Sequence, residues 1–532
     1  MPSSAPPRHA LAGFVLAVGL SAAAHAQPTH VADYELPGAP PGAAFGLSAA
    51  FAGDPDGDLL ADFVVGAPGA ANSTGSVAFV PGDLSEPTIV LSPNAQVGGF
   101  YGWSVAHVGD IAGSEAGSDY VVGAPGESAG APGSGRAYVY SPGQNPQPYA
   151  SPNPELNGLF GFATAGVGDL LGAPSDDIGV GAPGETVAGE SGAGRVYLFG
   201  LGGSAALQSV VAQQDGNFGA ALAPIGDLDG DGSPNLLVGA PGEDSATDDA
   251  GLVHIYANTE FELATSSLNP MKGGRYGAAI AGLGDLDDDG DMEWAVGAPG
   301  ESDGDGRVYV YSSYAKLVAI LAAPESALLA SGGAVNFGIA LDTADVDEDG
   351  ITDLLVGASG VSDDFVRQGR VFAYSGVDMS LIGALLPDVP ATSAEFGTSI
   401  AVGRMPRGPL RIVAGAPGEG EGAGRAHLFS LGSVTSGEPL AGDDEASALR
   451  APRPNPFGSR ATVAFELGTA GPARLALYDA LGREVAVVFE GVAAAGAHQA
   501  TLDSTGLPSG VYVLRLSTPD GVDVTRRVTV VR

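Results

Sequence analysis

No cysteine occurs in these 532 residues. That excludes disulfides, thiolate metal sites, a cysteine nucleophile and a lipobox-type anchor. Basic residues are scarce: 22 Lys and Arg stand against 62 Asp and Glu, a formal net charge of −40. Nucleic acid and anionic membranes are disfavoured as partners, because like charges repel within a Debye length. Long apolar runs are also missing. The stretch at residues 10–20 follows Arg8 and precedes Ala24-His25-Ala26, a small-x-small site, and so has the anatomy of a secretory signal peptide over residues 1–26. Nothing after it reaches the roughly 18 apolar residues of a membrane span. The mature chain, from Gln27, is expected to be soluble and exported, with no transmembrane segment. Motifs of known chemistry are sparse: RGD, DxSxS, HExxH and a phosphate loop are all absent.

What is abundant is glycine (84) and proline (39), beside only 7% aromatic residues, a composition of short strands and many turns. One unit recurs seven times. An aromatic-Gly pair opens it at Phe45, Tyr101, Phe160, Phe218, Tyr276, Phe337 and Phe396, at spacings of 56, 59, 58, 58, 61 and 59 residues. About twenty residues later comes Gly-Ala-Pro, at Gly66, Gly123, Gly181, Gly239, Gly297 and Gly415, with Gly357-Ala358-Ser359 in the sixth unit. Seven equal units imply seven blades of an all-β propeller over residues 27–432. Small residues after each aromatic-Gly place the innermost strand there. A second strand runs into Gly-Ala-Pro, a third is Arg136-Ala137-Tyr138-Val139-Tyr140 and its equivalents, and an outer one is exemplified by residues 88–91 and 317–320. The last unit lacks an outer strand, and residues 29–36 have no unit of their own. They are expected to complete the seventh blade and close the ring.

These motifs, their period and their number resemble the FG-GAP propeller of integrin α subunits. The resemblance covers roughly residues 29–432 and implies a fold, not a function.

Four units carry acids at alternate positions between the first and second strands. They are Asp54, Asp56, Asp58 and Asp62; Asp227, Asp229, Asp231 and Asn235; Asp285, Asp287, Asp289 and Glu293; and Asp345, Asp347, Asp349 and Asp353. Such spacing lets a turning loop aim three carboxylates at one point, with the ninth residue completing the cage. The seventh, Leu60, Ser233, Asp291 or Ile351, offers a backbone carbonyl. Oxygen-only ligands suit Ca²⁺, and so many carboxylates repel unless a cation neutralises them. Gly232, Gly290 and Gly350 allow the turn, whereas the first unit has Leu59 there and Gly57 two residues early. About four structural calcium sites are expected. None is expected around Gly109-Asp110, Gly168-Asp169 or Gly403-Arg404, where the pattern has decayed.

Two further columns read as structural. His254 and His427 stand where other units have Tyr138, Tyr197, Tyr309 and Phe372, and are expected to pack in the core. The pairs Glu127/Arg136, Glu185/Arg195, Glu301/Arg307 and Glu419/Arg425 suggest an ion pair within each hairpin.

Residues 433–451 read as a linker, and residues 452–532 balance eight Arg against seven acids. Six alternating segments, at 462–467, 474–478, 484–489, 499–502, 511–516 and 522–531, predict a small Ig-like β-sandwich. Pro454-Asn455-Pro456-Phe457, Tyr478-Asp479-Ala480-Leu481-Gly482-Arg483, Leu507-Pro508-Ser509-Gly510-Val511-Tyr512 and the basic end Arg526 to Arg532 resemble the type A C-terminal sorting domain of the type IX secretion system. That resemblance implies the secretion machinery as a partner and delivery to the surface or medium; an ordinary Ig-like binding domain is the alternative. The leading function is non-catalytic adhesion to an extracellular protein or polysaccharide. A polysaccharide-acting enzyme on the same scaffold and a passive envelope or matrix component stay open, because 62 acids hide any catalytic carboxylate pair.

Overall fold

A computed structural model describes residues 28–431 apart from 56–57, 59, 110, 112–118, 142–143, 173–174, 202, 229, 288, 325–326, 328–332, 364 and 406–407. It also describes 448–449 and 460–530 apart from 468–469, 479–482, 495, 504–506, 508–509 and 519–522. The chain divides into two compact units, one spanning Ala26–Val434 and the other including Thr435–Arg532. The signal-peptide region lies outside the described residues.

The first unit is an all-β propeller of seven four-stranded antiparallel sheets. The innermost strand of each blade, beginning with Ala49–Gly53, touches that of the next, and the seventh, Ser399–Arg404, touches the first again. Strand positions follow the repeat: the third and outer strands of successive blades include Arg136–Tyr140 and Thr88–Leu91. In the seventh blade the outer place is taken by Thr29–Tyr34, antiparallel to Arg425–Leu431 in the register Thr29 to Ser430 and Tyr34 to Ala426. The first and last strands of the propeller thus share one sheet, and Tyr34 also donates its hydroxyl to the Pro81 carbonyl of the first blade at 3.1 Å.

The repeated motifs are the joints of the ring. All seven aromatics of the aromatic-Gly pairs are fully buried. They fill the space between blades: Phe337 packs with Val308 and Val310 of the fifth blade and with Leu354 and Val356 of its own. At each joint a Gly-Ala-Pro glycine meets the aromatic-Gly glycine of the following blade. A Cβ on Gly66 would lie 2.0 Å from the Gly102 carbonyl oxygen, and one on Gly415 would lie 1.9 Å from that of Gly46, across the closure. Only glycine permits this approach.

The second unit has two sheets. One joins Ala448–Leu449, Arg460–Leu467 and Gly496–Asp503; the other is ordered Glu484–Ala493, Gly471–Tyr478, Gly510–Ser517, Asp523–Val530. Val463 and Phe465 of the first sheet share a core with Leu475, Leu477, Leu514 and Val528 of the second. Ala448 and Leu449, within the stretch expected to be a linker, pair with Glu466 and Phe465. Pro454-Asn455-Pro456-Phe457, Asp479 to Gly482 and Pro508-Ser509 lie outside the described residues.

Candidate metal centres and the buried glutamates

The acidic loops sit between the first and second strands, closed by a repeated set of hydrogen bonds. The first carboxylate accepts the backbone N–H of the loop glycine: Asp227 from Gly232 at 2.8 Å, Asp285 from Gly290 at 2.9 Å, and Asp345 from Gly350 at 3.1 Å. Each of these glycines has φ +92°, a left-handed conformation that side chains rarely adopt. The fifth carboxylate accepts the N–H of the seventh residue in all four loops: Asp58 from Leu60 at 2.7 Å, and Asp231, Asp289 and Asp349 from Ser233, Asp291 and Ile351 at 2.8 Å. The first blade therefore keeps this part of the turn despite its displaced glycine.

Among the described residues, two loops gather three carboxylates with oxygens within 4.8 Å of one another: Asp285, Asp287 and Asp289 in the fifth blade, and Asp345, Asp347 and Asp353 in the sixth. Asp56 of the first loop and Asp229 of the fourth lie outside the described residues. The sixth loop shows the electrostatic consequence of crowding. Burial, then the neighbouring Asp349 charge, pushes Asp345 up to about 6, and burial pushes Asp353 up to about 7. Asp345 Oδ1 is buried and has no hydrogen-bond partner. A buried, unsatisfied carboxylate oxygen facing crowded like charge is the donor that a hard cation would satisfy.

The ninth position has a second role. One oxygen of Asn235, Glu293 and Asp353 accepts the N–H of the loop's second residue, from Leu228 at 2.6 Å, Leu286 at 2.7 Å and Val346 at 2.8 Å. Asp119 and Asp177 do the same in the second and third blades, from Ile111 at 2.9 Å and Leu170 at 2.8 Å, although those loops have lost the acidic pattern. This residue braces the turn whether or not the rest of the cage is present.

The hairpin glutamates make the expected ion pairs and more. Glu127, Glu185, Glu243 and Glu301 are wholly buried, and each also meets a side chain on the third strand. Tyr138, Tyr197 and Tyr309 each donate a hydroxyl to the glutamate at 2.6 Å. Arg136, Arg195, Arg307 and Arg425 complete the hairpin ion pairs, at 3.7, 3.2, 3.9 and 2.5 Å from Glu127, Glu185, Glu301 and Glu419. His254 and His427 belong to the same column and reach Glu243 at 2.7 Å and Glu419 at 3.0 Å, so they are polar partners of buried acids as well as packing residues. The first and sixth units confirm the logic by omission: Ala70 and Val361 replace the glutamate where Ala78 and Phe372 replace the donor. A buried carboxylate is kept only where a donor accompanies it. This covariation within the chain was the sequence signal, and the hairpin arginine masked it.

Gly126-Glu127-Ser128-Ala129-Gly130 and Gly300-Glu301-Ser302-Asp303-Gly304 match the G-x-S-x-G spacing of a nucleophile elbow. Neither has the required strand-to-helix turn, since each leads into the next strand of the same sheet, through a loop to Arg136–Tyr140 or through the three-residue 3-10 turn Ser302–Gly304 to Arg307–Ser312.

Comparison with known proteins agrees with this architecture. The FG-GAP repeat model matches residues 218–256 and 337–374. This chain carries FG-GAP repeats. Its FG-GAP region is similar to integrin α-4 of Xenopus laevis, 31% identical over 43% of this chain and 23% of that protein. It is also similar to human integrin α-7, 36% identical over 26% of this chain and 12% of that protein. The chain thus spans about a quarter or less of the length of these relatives. The model described as a secretion system C-terminal sorting domain matches residues 454–531, so the FG-GAP protein carries an export signal to the cell surface or medium at its C-terminal end. A solved fungal alcohol oxidase in complex with copper aligns over 95% of the chain at TM-score 0.42 and 10% identity, too distant to bear on function. No helix among the described residues is long and apolar enough to cross a membrane.

Proposed function

We propose that this protein is an exported, calcium-stapled propeller that binds an extracellular protein or polysaccharide without catalysis. In this reading, cleavage after residue 26 frees a propeller over residues 27–432. Residues 452–532 engage the secretion machinery. The observation that carries the reading is the joining of an integrin-α-like FG-GAP propeller to a sorting domain in one chain.

Calcium would be held by Asp285, Asp287, Asp289 and Glu293, with the Asp291 carbonyl, in the fifth blade. In the sixth it would be held by Asp345, Asp347, Asp349 and Asp353, with the Ile351 carbonyl. The equivalent residues of the first and fourth loops complete the set: Asp54, Asp56, Asp58, Asp62 and Leu60; Asp227, Asp229, Asp231, Asn235 and Ser233. The orphaned Asp345 Oδ1 and the crowding of its neighbours support this assignment. The ion supplies no reaction; it neutralises the loop and fixes one rim of the disc, where loops on a rigid scaffold can recognise a ligand.

A polysaccharide ligand has a specific feature in its favour. Phe100, Trp103 and Phe162 form a run of rings across the second and third blades, with centroids 6.0 and 5.4 Å apart, and each ring is at least partly open to solvent. Such rings can stack on sugar faces. The test is retention of the mature chain on arrayed polysaccharides and matrix proteins, with calcium and then with EDTA. Calcium-dependent retention on one ligand class supports the reading; no retention by the folded, calcium-loaded chain contradicts it.

A further inference from the structure

The seam where the propeller closes on itself carries a histidine-carboxylate cluster that no other blade repeats among the described residues. His30 and Asp33 lie on the closing strand Thr29–Tyr34, and His427 on its partner Arg425–Leu431. His30 Nε2 and His427 Nδ1 both lie 2.6 Å from one oxygen, Asp33 Oδ1. The outer nitrogens face carboxylates as well: His30 Nδ1 is 3.1 Å from Asp388 Oδ2, and His427 Nε2 is 3.0 Å from Glu419 Oε2. His427 is fully buried, whereas Asp33 is open to solvent.

Proton accounting shows what is unusual here. A neutral imidazole has one N–H and one lone pair, yet all four ring nitrogens face acceptors. Hydrogen bonds alone satisfy them only if both rings are imidazolium, one of them buried, or if a facing carboxyl holds a proton. A metal ion at the inner nitrogens removes the conflict. Each lone pair then coordinates, and each outer N–H donates to its carboxylate, the carboxylate–histidine–metal arrangement that fixes the tautomer and raises ligand basicity.

We propose that His30, His427 and Asp33 form a site for a divalent transition metal of the Zn²⁺ type, distinct from the oxygen-only loops. Two imidazoles and one carboxylate supply three protein ligands and leave a fourth position to water. Asp388 and Glu419 orient the rings. The ion would fasten the first strand of the propeller to its last blade, across the one place where the ring is closed without a covalent link. The fourth blade provides an internal control: His254 contacts Glu243 in the same way, but its Nδ1 is buried without a hydrogen-bond partner, and among the described residues it belongs to no three-ligand cluster.

The experiment uses the full chain saturated with Ca²⁺, so that the acidic loops are filled. Zn²⁺ is titrated against a competing chelator, and Co²⁺ uptake is followed by its visible ligand-field bands. The expected result is one equivalent of Zn²⁺ and a Co²⁺ spectrum of a site containing nitrogen. Both should be lost in His30→Ala and Asp33→Asn and retained in His254→Gln, and affinity should fall about 10- to 100-fold in Asp388→Asn. Asp33 and Asp388 are exposed, so Asp33→Asn and Asp388→Asn keep the test open should a histidine variant fail to fold. No uptake by the folded, calcium-loaded chain, or uptake that survives His30→Ala, overturns the proposal.

Discussion

Replacing Tyr309 by Phe should destabilise the propeller although it removes one oxygen atom and no apolar contact. Glu301 is wholly buried and accepts the Tyr309 hydroxyl at 2.6 Å, while its other oxygen, Oε1, has no hydrogen-bond partner. Arg307 Nε, 3.9 Å away, is too distant for a hydrogen bond and partly solvated, so it compensates little. A hydrogen bond to a charged group contributes about 1.5–3 kcal/mol, and the loss should be about 2 kcal/mol. Glu301→Gln keeps an acceptor and the volume while removing the charge that burial opposes, and should cost less than about 1 kcal/mol. Burial holds the Glu301 carboxyl above its ordinary value. The folded state therefore binds the proton more tightly than the unfolded one, and stability from this site falls as pH rises from the ordinary glutamate range through the raised folded value. Below that range the acid is neutral in both states, and the Tyr309→Phe penalty should shrink. Melting of both variants in saturating calcium, at neutral pH and again near the ordinary glutamate value, is the assay. An unchanged melting temperature for Tyr309→Phe, or a larger loss for Glu301→Gln, would refute the reasoning.

Deletion of residues 29–36 should lower the melting temperature of the whole disc, because it exposes the edge of Arg425–Leu431 and removes buried Tyr34 and Leu36; thermal unfolding identical to that of the intact chain would count against ring closure. Gly415→Ala puts a Cβ 1.9 Å from the Gly46 carbonyl oxygen and should cost at least about 1–3 kcal/mol, whereas Gly471→Ala meets nothing within 4 Å and should be nearly silent in denaturant titrations. Asp345→Asn removes the most strongly crowded described carboxylate of the fifth and sixth loops from the position it shares with Asp347 and Asp353. It should weaken calcium-dependent stabilisation and yet leave the apo protein as stable as before or more so; a loss of apo stability would show that the carboxylate serves the fold without a cation.

Much of the fold was legible because its joints need particular residues. Only glycine fits between Gly66 and Gly102, and only a large ring fills the space around Phe337, so the motif recurs wherever the joint recurs. The third strand at Arg136–Tyr140 was equally plain from its alternation. The buried glutamates were obscured because charge along a sequence reads as surface, and an arginine six to ten residues on supplied a ready partner. Register adds a second partner by turning the tyrosine two residues beyond the arginine inward. The bracing roles of Asp119 and Asp177 were also hidden, because their loops have lost the other acids that would draw attention to them. The histidine cluster at the seam could not be read locally at all: His30 and His427 are brought together by the pairing of the propeller's first and last strands.

Calcium titration of the mature chain, by calorimetry with parallel melting curves, bears most directly on the calcium-stapled propeller. The account predicts about four ions per chain and a melting temperature that rises with calcium, each site contributing about 2.7 kcal/mol at a hundredfold excess over its dissociation constant. Asp285→Ala and Asp345→Ala should each remove one ion. No calcium uptake by the folded chain, together with a melting temperature unmoved by EDTA, would contradict it.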